Sequence, residues 1–167
     1  MSEIIQRMDT RRVFVETLME LTKKDDKIVL ITCDVGFLYL EQFQERFPDR
    51  FFNFGVTEQS SAVICAAMAL SGLKVYFYSM IPFVLFRPYE MVRNIIVKHN
   101  ANVKIIGVQG GPAYKMLGFS HNLTHSEEDT NLCENIGLDS HIISDVESVR
   151  ACILKTYQEN KPVYIRL

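Results

Sequence analysis

Several shortages in the sequence each exclude a class of protein. No Cys-x-x-Cys pair occurs among Cys33, Cys65, Cys133 and Cys152, so zinc ribbons and thioredoxin-type motifs are absent. Basic charge is not in excess: 18 Lys and Arg stand against 20 Asp and Glu, a formal net charge of −2. Nucleic acid is therefore not an expected partner, because that affinity rests on clustered cations. With 8 Gly and 5 Pro, the chain is neither collagen-like nor disordered. The longest apolar stretch, 62–70, is far too short to span a bilayer. Residues 1–9 are polar and lack the apolar core of a signal peptide. Cys33 and Cys65 lie inside apolar runs, where a free thiol behaves as a small hydrophobe, so a reduced, cytoplasmic setting without membrane contact is expected.

What is present is a chain of 167 residues, 48% apolar, large enough for one domain over 1–167 with a real core. Helical spacing of Val13, Phe14, Thr17, Leu18 and Leu21 predicts a helix opening at Asp9 or Thr10. Ile28-Val-Leu-Ile-Thr-Cys33 follows without polar alternation, as a strand buried on both faces does. Alternation then continues: a helix over 40–47, a strand at 51–54, a helix over 57–71 and a strand at 75–78. A helix from about Phe83 or Pro88 to His99, a strand at 103–108, a Gly- and His-containing loop over 109–126 and a helix over 127–136 come next. A strand at 141–143, a helix over 146–158 and a strand at 163–166 complete the series. Strands and helices alternating about six times with short joints predict an α/β fold: a doubly wound, mostly parallel sheet in a three-layer sandwich. Ligands bind such sheets at the carboxyl ends of the strands. The loops to inspect are 34–36, 55–58, 79–86 and 109–126.

Four groups of residues carry candidate chemistry. Glu58 opens the 57–71 helix, where a Thr57 cap and a dipole-complementing acid are the ordinary explanation. The helix behind it is apolar on every side over 62–70, hence buried in the domain or against another subunit. A carboxyl entering such surroundings is expected to be harder to ionise, and so able to share a proton with a heteroaromatic nitrogen. Met80, Phe83 and Phe86 recur at three-residue spacing after a strand. Core packing explains them, and so does a flat apolar slot for a planar ring. Gly107, Gly110 and Gly111 spell no phosphate-binding motif and read as a turn. His121 and His125 lie four apart, but no His-Glu-x-x-His is present, so polar loop histidines facing a ligand are favoured over a metal site.

Four stretches, in order over nearly the whole chain, resemble the pyrimidine-binding domain of transketolase-like thiamine diphosphate enzymes. They are Arg46-Phe-Pro-Asp-Arg-Phe-Phe-Asn-Phe-Gly-Val-Thr-Glu-Gln59, Arg87-Pro-Tyr-Glu-Met-Val-Arg-Asn94, Gly118-Phe-Ser-His-Asn122 and Lys161-Pro-Val-Tyr-Ile-Arg-Leu167. The first is the most specific, a Gly-x-x-Glu-Gln pattern after an aromatic strand and before a helix of small residues. The resemblance implies that Glu58 hydrogen-bonds the cofactor's aminopyrimidine. In the family this favours the imino tautomer that deprotonates the thiazolium carbon. It places Met80, Phe83 and Phe86 around the pyrimidine ring, His121 or His125 toward the substrate, and Asp34 near the site mouth.

The chain also departs from transketolases that use sugar phosphates. Leu117 stands where they carry an acid, Ile142 near a phosphate-holding arginine, and Leu38 near a serine with similar work. Loss of those polar contacts weighs against a sugar phosphate substrate. No Gly-Asp-Gly occurs, the motif with which the family grips the diphosphate through Mg²⁺ on a different domain. The resemblance therefore implies half of a cofactor site. A pyrophosphate-binding partner subunit would carry the Mg²⁺, and pyrimidine domains would pair in a homo- or hetero-oligomer. Transfer of a two-carbon ketol or acyl unit is the leading expectation. A component of a 2-oxoacid decarboxylase or dehydrogenase, and a non-catalytic assembly module of the same fold, are the alternatives.

Overall fold

The central strands are apolar without interruption because both of their faces are covered. The computed structural model describes residues 2–110 and 112–167, with side chains over 10–110 and 114–167. In chain order the elements are α1 (Ser2–Thr22), β1 (Ile28–Thr32), α2 (Glu41–Arg46), β2 (Phe51–Asn53), α3 (Glu58–Leu70), β3 (Lys74–Met80), α4 (Tyr89–Met91) and β4 (Val103–Val108). They continue with α5 (Glu128–Ile136), β5 (Ser140–Ile142), α6 (Val146–Tyr157) and β6 (Val163–Arg166). Wide π-type turns flank α4 at Pro82–Phe86 and Val92–Val97, and a 3-10 turn at Pro112–Leu117 lies inside the long loop after β4. The six strands pair in parallel in the order β2-β1-β3-β4-β6-β5. This is the doubly wound α/β sandwich that the alternation predicts.

Strand side chains alternate between two cores, as a period of two requires. Ile28, Leu30, Tyr76, Tyr78, Ile106 and Val108 face Phe14 and Leu18 of α1, and Val149 and Ile153 of α6. Val29, Ile31, Val75, Phe77, Val103 and Ile105 face Ala62, Cys65, Ala66 and Ala69 of α3, and Cys133 and Ile136 of α5. Phe14 and Leu18 are fully buried, each contributing about 1.5–3 kcal/mol of apolar burial. All four cysteines are buried and free of disulfides.

Two stretches differ from the sequence expectation: α1, and the helix expected up to His99, which is instead the short α4 between two wide turns. α1 begins at Ser2 rather than near Asp9. Residues 2–8 contain no Gly or Pro to stop a helix, so it runs through Asp9 and Thr10 instead of being capped there. For α3 the domain covers one face only: Val63, Ile64 and Leu70 remain exposed on its outer face. The small residues Ala62, Cys65, Ala66 and Ala69 let its inner face sit close on the sheet.

At the amino ends of the strands, Asp25 ties three elements together. Its Oδ2 accepts from Lys74 Nζ (2.8 Å) on β3 and from Tyr157 Oη (2.9 Å) on α6. Burial pushes its pKa up, but the Lys74 hydrogen bond, the Lys27 N–H and the Tyr157 hydroxyl outweigh this and hold it at about 2. At the carboxyl end of β4, a Cβ on Gly107 would meet the Tyr164 ring at 2.7 Å. Glycine is required there because that ring lies across the strand.

Candidate functional site

A cleft of about 660 Å³ opens at the carboxyl ends of the strands. It lies where the strand order reverses, between β1 and β3, the usual ligand position in an open parallel sheet. All four loops singled out from the sequence contribute to it: Asp34 and Gly36 after β1, Val56 and Glu58 before α3, Met80 and Phe83 after β3, and Gln109 and His121 after β4. The first of these loops is held in costly backbone. Asp34 (φ 52°) and Leu38 (φ 72°) both occupy the left-handed region without being glycine.

Glu58 is only 2% exposed although it opens a helix. Glu58 is the acid of the first turn of α3, as the ordinary explanation has it, but the other half of that explanation fails, because Thr57 makes no side-chain cap to α3. Thr57 Oγ1 instead donates to the Phe54 carbonyl (2.9 Å). Its single proton being used, it accepts from Ser61 Oγ (3.2 Å), which in turn accepts from the Cys33 thiol (3.2 Å). This chain of hydroxyls backs the Glu58 turn. Burial pushes the Cys33 thiol up, and the nearby Glu58 charge adds to this against the Ser61 hydrogen bond. Cys33 is thus a neutral thiol on the cleft wall and not a nucleophile near neutral pH.

The Glu58 carboxyl is not alone in an apolar wall. Arg87 Nη1 donates to Glu58 Oε1 at 2.6 Å, and the Arg87 guanidinium lies 4.0 Å from the Phe83 ring centroid. The wide turn Pro82–Phe86 makes this possible, with the Arg87 N–H bonded back to the Pro82 carbonyl at 2.8 Å. Wide turns of this kind recur at functional sites. Charge at the cleft therefore consists of one buried acid with a half-exposed arginine, an acid at the rim (Asp34), and Arg11 of α1. Arg11 Nη2 donates to the Gln109 carbonyl at 2.7 Å, and its Nε is buried with no hydrogen-bond partner among the described residues.

The structure brings Asp34, Glu58, Met80, Phe83 and His121 to one cleft. His121 meets Phe83 edge-on, with centroids 4.9 Å apart and planes at 80°. Phe86 and His125 are not brought there. Phe86 is half-buried against the core and borders a separate depression with Phe83 and Phe119, and His125 lines another beside Tyr89 and Glu128. Leu38 and Leu117 do line the cleft, whereas Ile142 sits on the edge strand β5, apart from it. Among the described residues no group of three or more His, Cys, Asp or Glu is placed to hold a metal ion. No helix among them is long and apolar enough to cross a membrane. Sequence reasoning missed Arg87 and Arg11 as site residues. A lone charge in the apolar run 80–87 flagged the first. Arg11, three residues before Phe14 and seven before Leu18, shares their helix face and so flagged the second.

Residues 6–167 match the family model described as transketolase, pyrimidine binding domain. A protein from Phocaeicola vulgatus, named as one subunit of an apulose-4-phosphate transketolase, is 33% identical over 159 residues, covering 94% of this chain and 50% of that protein. A putative transketolase C-terminal section from Methanocaldococcus jannaschii is 31% identical over 165 residues, covering 94% and 49%. The chain thus spans about half the length of the curated relatives it matches. A solved split-gene transketolase, described as an inactive β4 tetramer, superposes with a TM-score of 0.82 at 30% identity, covering 95% of this chain and 50% of that one. Transketolase from Campylobacter jejuni shares the fold, with a TM-score of 0.76 at 18% identity over 94% of this chain and 25% of its own. The cleft described above is therefore the carboxyl-end cleft of a transketolase-type sheet, and the chain belongs to the transketolase pyrimidine-binding domain family.

Proposed function

We propose that this chain is the pyrimidine-binding half of a thiamine diphosphate-dependent, transketolase-like transferase, active with a partner subunit that grips the diphosphate through Mg²⁺. One observation carries the reading: a buried glutamate opens α3 and faces a cleft walled by Met80 and Phe83. That setting suits a flat, weakly polar ring with a basic nitrogen. Glu58 would hydrogen-bond the ring nitrogen and hold its proton, a role requiring a carboxyl kept from bulk water. Met80 and Phe83 would flank the ring and exclude solvent. His121 would face the substrate, with Asp34 at the mouth. Phe86, partly buried against the core beside Phe83, would support that wall from outside the cleft. When bound, thiamine diphosphate supplies the carbon nucleophile that carries a two-carbon ketol or acyl unit.

A partner-dependent reading is supported by the apolar side chains that stay exposed around the cleft. Leu38 is 88% exposed, and Phe37 and Val56 of the same cleft are exposed with it. Val63, Ile64 and Leu70 on the outer face of α3 are exposed as well. Large apolar side chains left in water in this number suit a protein contact. One relative is named as a transketolase subunit and another as a transketolase C-terminal section, and the β4 tetramer of a split-gene relative is described as inactive. We expect this chain, in the same way, to need a Gly-Asp-Gly-bearing partner for activity.

The test is reconstitution. The chain is combined with a Gly-Asp-Gly-bearing subunit, thiamine diphosphate and Mg²⁺, and ketol transfer from a ketose is compared with turnover of a 2-oxoacid. Transfer is expected only with both chains present. Glu58→Gln in the assembled complex is expected to lower turnover by roughly 10²–10⁴-fold. Undiminished turnover in that variant would overturn the role given to Glu58.

A further inference from the structure

His121 sits on the cleft wall with two identified neighbours for its ring. One is Phe83, edge-on. The other is Ser120, whose Oγ lies 2.9 Å from His121 Nδ1. That serine makes a second contact: Ser120 Oγ donates to the Leu117 carbonyl at 3.1 Å. A hydroxyl carries one proton and two lone pairs, and a carbonyl oxygen only accepts. With its proton on the Leu117 carbonyl, Ser120 Oγ can only accept from His121, so the proton of the neutral imidazole must be on Nδ1.

The segment that fixes this geometry is itself braced. Gly118 turns the chain in the left-handed region (φ 69°). The Asn122 side-chain amide donates to both the Tyr114 carbonyl (3.0 Å) and the Gly118 carbonyl (2.8 Å). At the far end, Glu128 Oε2 accepts from the Thr124 N–H and hydroxyl at 2.7 and 2.9 Å. Ser120 and its Leu117 acceptor are thus held by contacts that do not involve His121.

We propose that Ser120 is a positioning residue that fixes the tautomer of His121. It selects the Nδ1–H form and leaves Nε2 as a bare acceptor. The ring then suits a ligand group that donates a hydrogen bond, such as the hydroxyl of a polyol substrate, in preference to a carbonyl or an anion. The ligand consequence rests on the proposed substrate-facing role of His121. The tautomer assignment does not.

The experiment uses the full 167-residue chain, labelled with ¹⁵N, at about pH 8, where an ordinary imidazole is neutral. Two-bond ¹H–¹⁵N correlation spectra read which ring nitrogen carries the proton. Wild type is expected to show His121 mostly as Nδ1–H. Ser120→Ala is expected to revert it mostly to Nε2–H, the form a free histidine side chain prefers in water. Ser120→Thr, which keeps the hydroxyl, is expected to restore Nδ1–H. A wild-type spectrum dominated by Nε2–H, or a Ser120→Ala spectrum unchanged from wild type, overturns the proposal. No partner, cofactor or substrate enters the measurement, so its failure is distinct from failure of the proposed function.

Discussion

Tyr164 and Tyr76 offer the same chemical deletion in two opposite settings. Both rings are fully buried in the sheet. Tyr164 Oη donates at 2.6 Å to Oδ2 of Asp129, whose side chain is wholly buried. The other oxygen of that carboxylate accepts from Arg166 Nη1 (2.8 Å) and the Thr130 N–H (2.9 Å). Oδ2 has no other described partner. Tyr164→Phe keeps the ring packing and removes a hydrogen bond to a charged acceptor that water cannot reach, at a cost of about 2 kcal/mol. For a chain of this size that is a fall of roughly 4–8 °C in Tm. Tyr76 Oη, by contrast, is buried without a hydrogen-bond partner among the described residues. Tyr76→Phe removes a desolvated, unsatisfied group and is expected to be neutral or to stabilise by up to about 1 kcal/mol. Urea denaturation of the two variants beside wild type, read by circular dichroism, gives both numbers. Equal destabilisation by the two substitutions would refute the reasoning, since it would mean that ring packing rather than hydroxyl pairing decides. The Asp129 network also reaches the cleft. It sits at the start of α5, and Arg166 Nη1 donates as well to the Ser126 carbonyl (2.8 Å), anchoring the segment that carries His121.

Two pH dependences follow, one from half-buried Asp25 and one from buried phenols. Asp25, held at about 2 against an ordinary 3.8, stabilises the fold by about 2 kcal/mol. That contribution is fully present above about pH 4 and is lost as pH falls through about 2, so Asp25→Asn should cost roughly that amount at neutral pH and almost nothing at about pH 2 in urea titrations. Burial raises the phenols of Tyr76, Tyr78 and Tyr164 well above their ordinary value, so the unfolded chain releases three protons near pH 10 that the folded chain keeps. The three phenols alone should make stability fall by about 4 kcal/mol per pH unit above about pH 10, the four buried thiols steepen the fall, and Tyr78→Phe should remove about 1.4 kcal/mol per pH unit of it. Denaturation midpoints that stay flat over that range would contradict it.

How much of this was legible in the sequence depends on which period the backbone obeys. Strands buried on both faces announce themselves as apolar runs, so β1, β3 and β4 lie within a residue or two of where the sequence puts them. Parallel order then sends their carboxyl ends to one edge, and the four loops that meet there follow from alternation alone. Glu58, ordinary as an acid at a helix start, stood out only through the apolar helix behind it and the motif around it, and the structure buries its side chain. The failures cluster where the period changes. An ordinary helix puts residues three and four apart on one face, so Phe83 and Phe86 look like neighbours on a single slot. The Pro82–Phe86 segment is instead a wide turn closed by bonds five residues apart, which moves the shared face toward longer spacings. Phe86 packs against the core and borders, with Phe83, a separate depression, while Arg87, four residues from Phe83, lies on the Phe83 ring and the Glu58 carboxylate. A count of apolar spacing finds the aromatics and passes over the cation beside them. The cue that remained was chemical: a charged residue between an apolar run and Pro88 has to find a counter-charge, and the buried acid at the head of α3 is the one it finds.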